Sequence, residues 1–572
     1  MLHRGFWLPV FSALVMACTP AGAPPQRDGA APGQPISGPK ALTIGLSDQP
    51  LNMATLFAGG AGISAGSSSA GDLFHMVHQR LAVNDHLGQS HPELATELPS
   101  QEKGSWVVRP DGTMQTTYRI HPGVTWHDGA VLTTSDLVLA WRMTLDPELP
   151  ISQQSVARQI ARLETPDDTT LVIDWARIYV FANAIIEDDL GPFPSHILGP
   201  LYEREKQAVA VSPYWTREFI GVGPYRLAEW EPGSHLVLKA YDRFFRGRPK
   251  IDTLTFRIID NEATALANML AGTIDGGVQD LLGFRGSLTL RDEWTREGHP
   301  PVFIQQNTHW RRLGVQFRVP DPLEITDARV RRALYHGVDR PGMVDALYDG
   351  LATVADSFIA PDDVKWDWVK DVVARYPYDP RRSIELLAEV GWRKGPDGAI
   401  VNAAGEGVTI GVWTTGGQAS EGTIVADNWK SLGVNTDLLV LSPAQSQDSR
   451  FRVSYPSFAL AQYPISYEFN VINLRAANCP SEQTQFRGNN RGCFRDADNE
   501  RLIEAISLAI DPAQQRPLYR DLARLHSEAL PELPLYFNVA VTVFRQGVVG
   551  VMGSGRPRGG LGWNVMDWDV VS

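Results

Sequence analysis

The stretch "YRIHPGVTWHDGAVLTTSDLVLAWRMTLDP", residues 118–147, sets two histidines and an aspartate close together. His121, His127 and Asp128 are side chains that a divalent metal or a general base would use. Their spacing argues against both. A helix that offers a metal pair puts its ligands at i and i+4, whereas these residues precede a helix and are parted by turns at Pro122-Gly123 and Asp128-Gly129. Tyr118, Ile120 and Val124 read as a strand entering those turns. Thr133, with Asp136 three residues on and then Leu137, Leu139, Ala140 and Met143, reads as a helix start. The stretch is a strand–turn–capped-helix joint, and its histidines are scaffold.

Other candidates for chemistry are as thin. His75 and His78 stand at i, i+3 in "AGDLFHMVHQRLAVND", which reads as one amphipathic helix. Without a third ligand the pair is expected on the helix surface, and no metal or other cofactor is implied. There is no G-x-S-x-G elbow, no H-E-x-x-H and no P-loop, and "GVGPYR" lacks the third glycine of a dinucleotide turn. Carboxylates are many but scattered, so no acid–base pair is assigned. Nothing positive points to catalysis.

A chain of 572 residues exceeds one core, and two to four domains are expected. The balance of 65 acidic against 52 basic residues gives a net charge of −13, and no Lys/Arg-rich run occurs, so nucleic acid is not a partner. "MLHRGFWLPVFSALVMACTP" has one early arginine, an apolar run from Phe6 to Ala17 too short for a final membrane span, and then Cys18. Its "LVMAC" ending resembles a bacterial lipobox, in which the cysteine is lipidated after residues 1–18 have served as the signal; a plain signal peptide is the alternative. Residues 19–40, rich in Pro, Gly and Ala, read as a disordered tether. Export places Cys479 and Cys493 in an oxidising compartment, where a disulfide is expected.

From Ala41 onward strands and helices alternate, which implies an α/β fold with helices covering parallel or mixed sheets. "ALTIGLS", "TLVIDWA", "LVLKAY" and "TLTFRIID" read as strands. "NEATALANMLAG" reads as a helix, "DARVRRALYHGVDRPGMVDALYDG" as two helices around a turn, and "EGVTIGVWTTGG" as a buried strand.

Several of these stretches, in order, resemble the extracytoplasmic solute-binding proteins of ABC transporters that serve peptides and nickel. "LAVNDHLGQSHPELATEL" looks like the family's early segment. Residues 118–141 look like its signature, with Gly123, His127-Asp128-Gly129 and the Thr/Asp cap in place. "GVGPYRLAEWEPGSHLVLKAYDRFFRGRPKIDTLTFRIIDNEATALANMLAGTIDGG", "VRRALYHGVDRPGMVDALYDGLATVADSFI" and "YDPRRSIELLAEVGW" continue the likeness.

The resemblance implies a two-lobed, type II periplasmic-binding-protein-like α/β fold with a small domain inserted in the N-terminal lobe. By order, lobe I is 41–81 with 215–311 and 539–572, the inserted domain is 82–214, and lobe II is 312–538. It also implies a ligand, an oligopeptide or related small molecule, enclosed between lobes and delivered to permease subunits by a monomeric, lipid-anchored extracytoplasmic protein. Rival functions are a secreted hydrolase on a similar architecture and a ligand sensor for a membrane receptor. Peptide-binding members carry an aspartate that pairs with the peptide ammonium. In "SFALAQYPISYEF" Gln462 or a neighbour stands at that place, which puts free N-terminal peptides in question unless Glu468 or another acid serves. Expected pocket residues are Ser67, Ser68 and Ser69 on an early loop, Asn307 and Trp310 near the crossover between lobes, Trp413 at a strand end, and Gln462, Tyr463 and Tyr467. Trp413 reads equally well as core, and the serines as plain loop.

Overall fold

Asp136 shows how a short motif becomes architecture. In the computed structural model its Oδ2 accepts from the Thr133 N–H (2.9 Å) and from the Trp126 indole (3.2 Å), while Oδ1 accepts from the Ser195 N–H (2.8 Å). One buried carboxylate thus caps a helix and ties the preceding turn and a distant segment to it. His127 works the same way. Its Nδ1 accepts from the Gly221 N–H (3.1 Å) and its Nε2–H donates to the Gly223 carbonyl (3.0 Å). Gly221 and Gly223 are glycines because a Cβ on either would strike the Val77 carbonyl group, at 1.8 Å and 2.4 Å. The "GVG" segment is a close backbone crossing between helix end and imidazole.

The structure describes residues 38–50, 52–53, 69–151, 156–185, 190–278, 281–465, 472–556 and 560–571. Along the chain come β1 (Ala41–Leu46), α1 (Ser69–Val77), β2 (Trp106–Val108), β3 (Met114–Arg119), α2 (Thr134–Leu145), β4 (Ile160–Asp167) and β5 (Thr170–Trp175). Then follow β6 (Tyr225–Glu231), β7 (His235–Ala240), β8 (Thr253–Ile258), α3 (Glu262–Leu270), β9 (Gly276–Gly277), α4 (Phe284–Arg296) and β10 (Val302–Val315). After these come α5 (Ala328–His336), α6 (Arg340–Tyr348), β11 (Thr409–Thr415), α7 (Ala419–Leu432), β12 (Asn435–Leu441) and β13 (Phe458–Pro464). The last are α8 (Ala497–Leu508), α9 (Pro512–Ala529) and β14 (Glu532–Phe544).

Strands β2, β3, β5 and β4 make a separate sheet over a core that includes Trp126, Tyr118 and Trp175. The other strands form one long mixed sheet in the order β12-β11-β13-β10-β14-β9-β1-β8-β7-β6, with Thr353–Val354 added beside β14. β10 and β14 run through both halves. β13 joins β10 only from His309 onward, and β9 joins β14 only at Val543 and Phe544. Between these points the sheet narrows to two strands, and there the register slips, with Thr308 left over between Asn307 and His309.

One helix ends earlier than its periodicity suggests. α1 stops at Val77 because Val77 offers its carbonyl to Gly223 N–H (3.1 Å) and Arg80 N–H turns to Glu93 Oε2 (2.6 Å). His75 and His78, expected on the surface, are 1 % and 4 % exposed. His75 Nδ1 meets Glu93 Oε1 at 2.8 Å, and His78 Nε2 donates to the Pro192 carbonyl at 3.0 Å. They are buried because the helix packs on both sides, which a single-face reading misses. No cluster of three or more metal-ligating side chains occurs among the described residues.

Candidate ligand-binding site

β1, β8, β9 and β10 run in one direction, and β13 and β11 in the other. The parallel strands of the two halves therefore point their carboxyl ends at each other, and among the described residues only β10 and β14 pass between. In open α/β sheets that crevice is where ligands bind. Its floor is the bulge. Thr308 Oγ1 donates to the Asn538 carbonyl (3.3 Å), and the Ile465 N–H donates to the Thr308 carbonyl (3.0 Å).

Side chains leave β10 on two faces. On one, Trp310 lies opposite Tyr463, and Arg312 lies over the Tyr463 ring at 4.0 Å while pairing with the buried Glu532. Tyr463 donates its hydroxyl to the Asn489 carbonyl (2.6 Å). Burial pushes the Glu532 carboxyl up in spite of Arg312. Trp310 and Tyr463 are 3 % and 6 % exposed, so both are packed behind the crevice rather than open to it. Trp413 is on this side too, stacked on Phe451 with ring centroids 4.9 Å apart. Between this face and the segment around Asn490–Gly492 lies a small cavity of about 20 Å³, lined by Arg312, Tyr455, Ala461, Arg491 and Glu532 among others.

On the other face, His309 and Arg311 follow one another, and Arg311 stands directly opposite Gln462. Burial, and then the charge of Arg311, push His309 down to about 4, so it is neutral at neutral pH. Glu421, in the first turn of α7, accepts from the Tyr536 hydroxyl (2.8 Å) and stands 3.8 Å from Arg311. Gln462 is exposed. Asn307, at the bulge, offers its carbonyl to Arg556 Nη1 (3.3 Å).

The structure thus brings Asn307, Trp310, Gln462 and Tyr463 together at the waist, and sets Trp413 two strands away. Ser67, Ser68 and Tyr467 lie outside the described residues, as do Cys18 and Glu468; Ser69 is described only as the first backbone position of α1. Arg311, His309, Glu421 and Tyr536 were not among the residues singled out from sequence. "VFIQQNTHWRRLGV" has no alternation that marks a strand, so nothing assigned its arginines to faces.

Comparison with known proteins agrees with this geometry. The family model described as bacterial extracellular solute-binding proteins, family 5 Middle, matches residues 91–472, more than half of the chain. The oligopeptide-binding protein AppA of Bacillus subtilis is 24% identical over 442 residues, covering 75% of this chain and 76% of its own. Among solved structures, HbpA2 of Haemophilus parasuis superposes with a TM-score of 0.73 at 18% identity, covering 93% of this chain and 99% of its own. The oligopeptide-binding protein of Thermus thermophilus, complexed with a pentapeptide, gives 0.65 at 23% identity, covering 93% and 96%. The fold is two-lobed α/β, as in these relatives. The chain belongs to the bacterial extracellular solute-binding proteins of family 5, the peptide- and nickel-type binding components of ABC transporters, which bind their cargo and are not enzymes.

Proposed function

We propose that this protein captures an oligopeptide or a related small molecule in the crevice at its waist and presents it to the permease of an ABC importer. The two-strand waist carries the reading: wide half-sheets on either side of a bulged ribbon can close on a ligand by bending a few residues. A ligand touching both halves stabilises the closed state by its differential affinity. A peptide main chain is supported by β13, whose ladder with β11 ends at Ala459, leaving the residues up to Gln462 without a strand partner on that side among the described residues. The relative from Bacillus subtilis is named for oligopeptides, and the Thermus thermophilus structure holds one.

On this reading lobe I comprises 41–81, 215–311 and 539–572, the inserted domain 82–214, and lobe II 312–538. Asn307 and Gln462 face the ligand first, with Trp310, Tyr463 and Trp413 as the wall behind them and Ser67–Ser69 and Tyr467 on the loops that complete it. Cys18 carries the lipid, 19–40 tethers the body outside the cytoplasmic membrane, and Cys479 and Cys493 are joined in that oxidising space.

Native mass spectrometry of residues 41–572 from an exporting host tests the reading. A ladder of adduct masses is expected from a peptide pocket of loose preference, and one discrete adduct would name a dedicated small molecule. A bare protein that no peptide mixture stabilises against heat would sink it.

A further inference from the structure

Arg311 buries a donor that finds no acceptor among the described residues. The residue is 9 % exposed, its Nε is buried without an acceptor, and its nearest carboxylate among the described residues, Glu421, is 3.8 Å away, outside hydrogen-bond range. A guanidinium carries five N–H donors and no acceptor, and leaving a buried one unmatched is unfavourable. Glu421 does not answer the need at that distance, and the Tyr536 hydroxyl, which donates to its Oε1, helps to hold it there. The neighbours add further donors. Gln462, opposite Arg311, is exposed, and its side chain has no hydrogen bond among the described residues. α7 starts at Ala419, whose own N–H donates to the Gly416 carbonyl, and no side chain caps the N–H groups that follow, behind the exposed turn Gly416-Gly417. A donor set of this kind, with a helix N-terminus beside it, is matched by a carboxylate, which a guanidinium receives through two parallel bonds.

We infer that Arg311 is the specificity-determining residue of the crevice, and that the ligand enters with a carboxylate directed at Arg311, Gln462 and the start of α7. The inference rests on the reading of the waist crevice as the ligand site. It reverses the polarity that an acid at position 462 would impose: the anionic end of the ligand, rather than an ammonium, lies at the waist.

Isothermal titration of the full exported chain with two probes decides it. N-acetyl-trialanine has a carboxylate and no ammonium, and trialanine amide has an ammonium and no carboxylate. The first is expected to bind at least tenfold more tightly than the second. Arg311→Gln should abolish that preference, and Arg311→Lys, which keeps the charge but loses the fork, should weaken it several-fold without unfolding the chain. Equal binding of both probes, tighter binding of the amide, or an unchanged preference in Arg311→Lys together with Arg311→Gln would overturn the inference. If neither probe binds while a tripeptide mixture with both ends free does, the inference fails and the crevice reading stands. If that mixture fails as well, both fall.

Discussion

Four histidines are held neutral by burial, and this gives the stability of the protein a pH dependence of definite sign. His78 is pushed down to about 3, and His127, His309 and His526 to about 4, in each case by removal from water. In the unfolded chain each titrates near the ordinary histidine value of 6.5. Between those values the unfolded state binds more protons than the folded one, so stability is lost as pH falls from about 6.5 toward 4. At pH 4.5 a fully buried member contributes a loss of about 2–3 kcal/mol, from 1.36 kcal/mol per pKa unit. Urea unfolding should show a much lower midpoint at pH 4.5 than at 7.5, and His127→Gln should flatten that dependence; identical midpoints at the two pH values would refute the assignment. The role of His127 was legible in its sequence only as a negative. The turns around it excluded a metal pair, but its clasp on Gly221 and Gly223 joins residues 94 and 96 positions apart, which no local pattern records. Asp136 was legible because a capping box is local, although its bond to Ser195 was not.

At the scale of elements, the helices that carry caps were readable and the long strand β10 was not. Asn261, Asp327, Asp339 and Asp379 each cap a helix through a side-chain oxygen, and each precedes a periodic run that announces it. β10 defeats such reading because it changes environment halfway: its first part is half-exposed ribbon, its last part is buried on both faces, and Arg311 and Arg312 go to opposite sides. The segment that covers one of those faces is the stretch between Cys479 and Cys493, whose Cα atoms are 4.9 Å apart in disulfide geometry. Phe317 N–H donates to the Gly492 carbonyl (2.8 Å), and a Cβ on Gly492 would lie 1.7 Å from the Val315 carbonyl oxygen, so this segment lies hard against β10. With the cysteines 14 positions apart, cross-linking should stabilise the fold by roughly 3 kcal/mol through loop-closure entropy. Cys479→Ser should therefore lower the melting temperature of the oxidised protein and leave that of the reduced protein unchanged. An oxidised variant that melts with the wild type would show that the bridge does not form or does no work.

At the scale of the molecule, the question is what sets the balance between open and closed halves. Along one side of the waist the halves meet through Phe284 and Tyr348, whose rings are 5.1 Å apart, and through Arg285, which donates to the Ala346 carbonyl (3.1 Å). Along the other, a single side chain reaches three parts of the structure. Arg556 donates through Nε to the His86 carbonyl (2.7 Å), through Nη1 to the Asn307 carbonyl at the bulge (3.3 Å), and through Nη2 to Asp362 Oδ2 (3.3 Å). The first two bonds lie within the half that carries the C-terminus and at the waist, and only the third crosses to the half that follows β10. Loss of the third should thus change the opening equilibrium more than the fold. Asp362 is about a third exposed, so the crossing bond is worth only about 1 kcal/mol, or roughly fivefold in a two-state ratio. Asp362→Asn is expected to leave the melting temperature nearly unchanged, to shift inter-lobe distances toward the open state in a two-label energy-transfer measurement, and to weaken ligand binding by that same factor. Arg556→Ala should do all this and also melt earlier, because it leaves the His86 carbonyl with only a long bond from Gln306 Nε2 (3.4 Å) and takes a donor from the Asn307 carbonyl. If Asp362→Asn leaves the distance distribution where it was, the crossing bond follows closure and does not govern it, and the balance rests on the other contacts between the halves, the Phe284–Tyr348 pair among them.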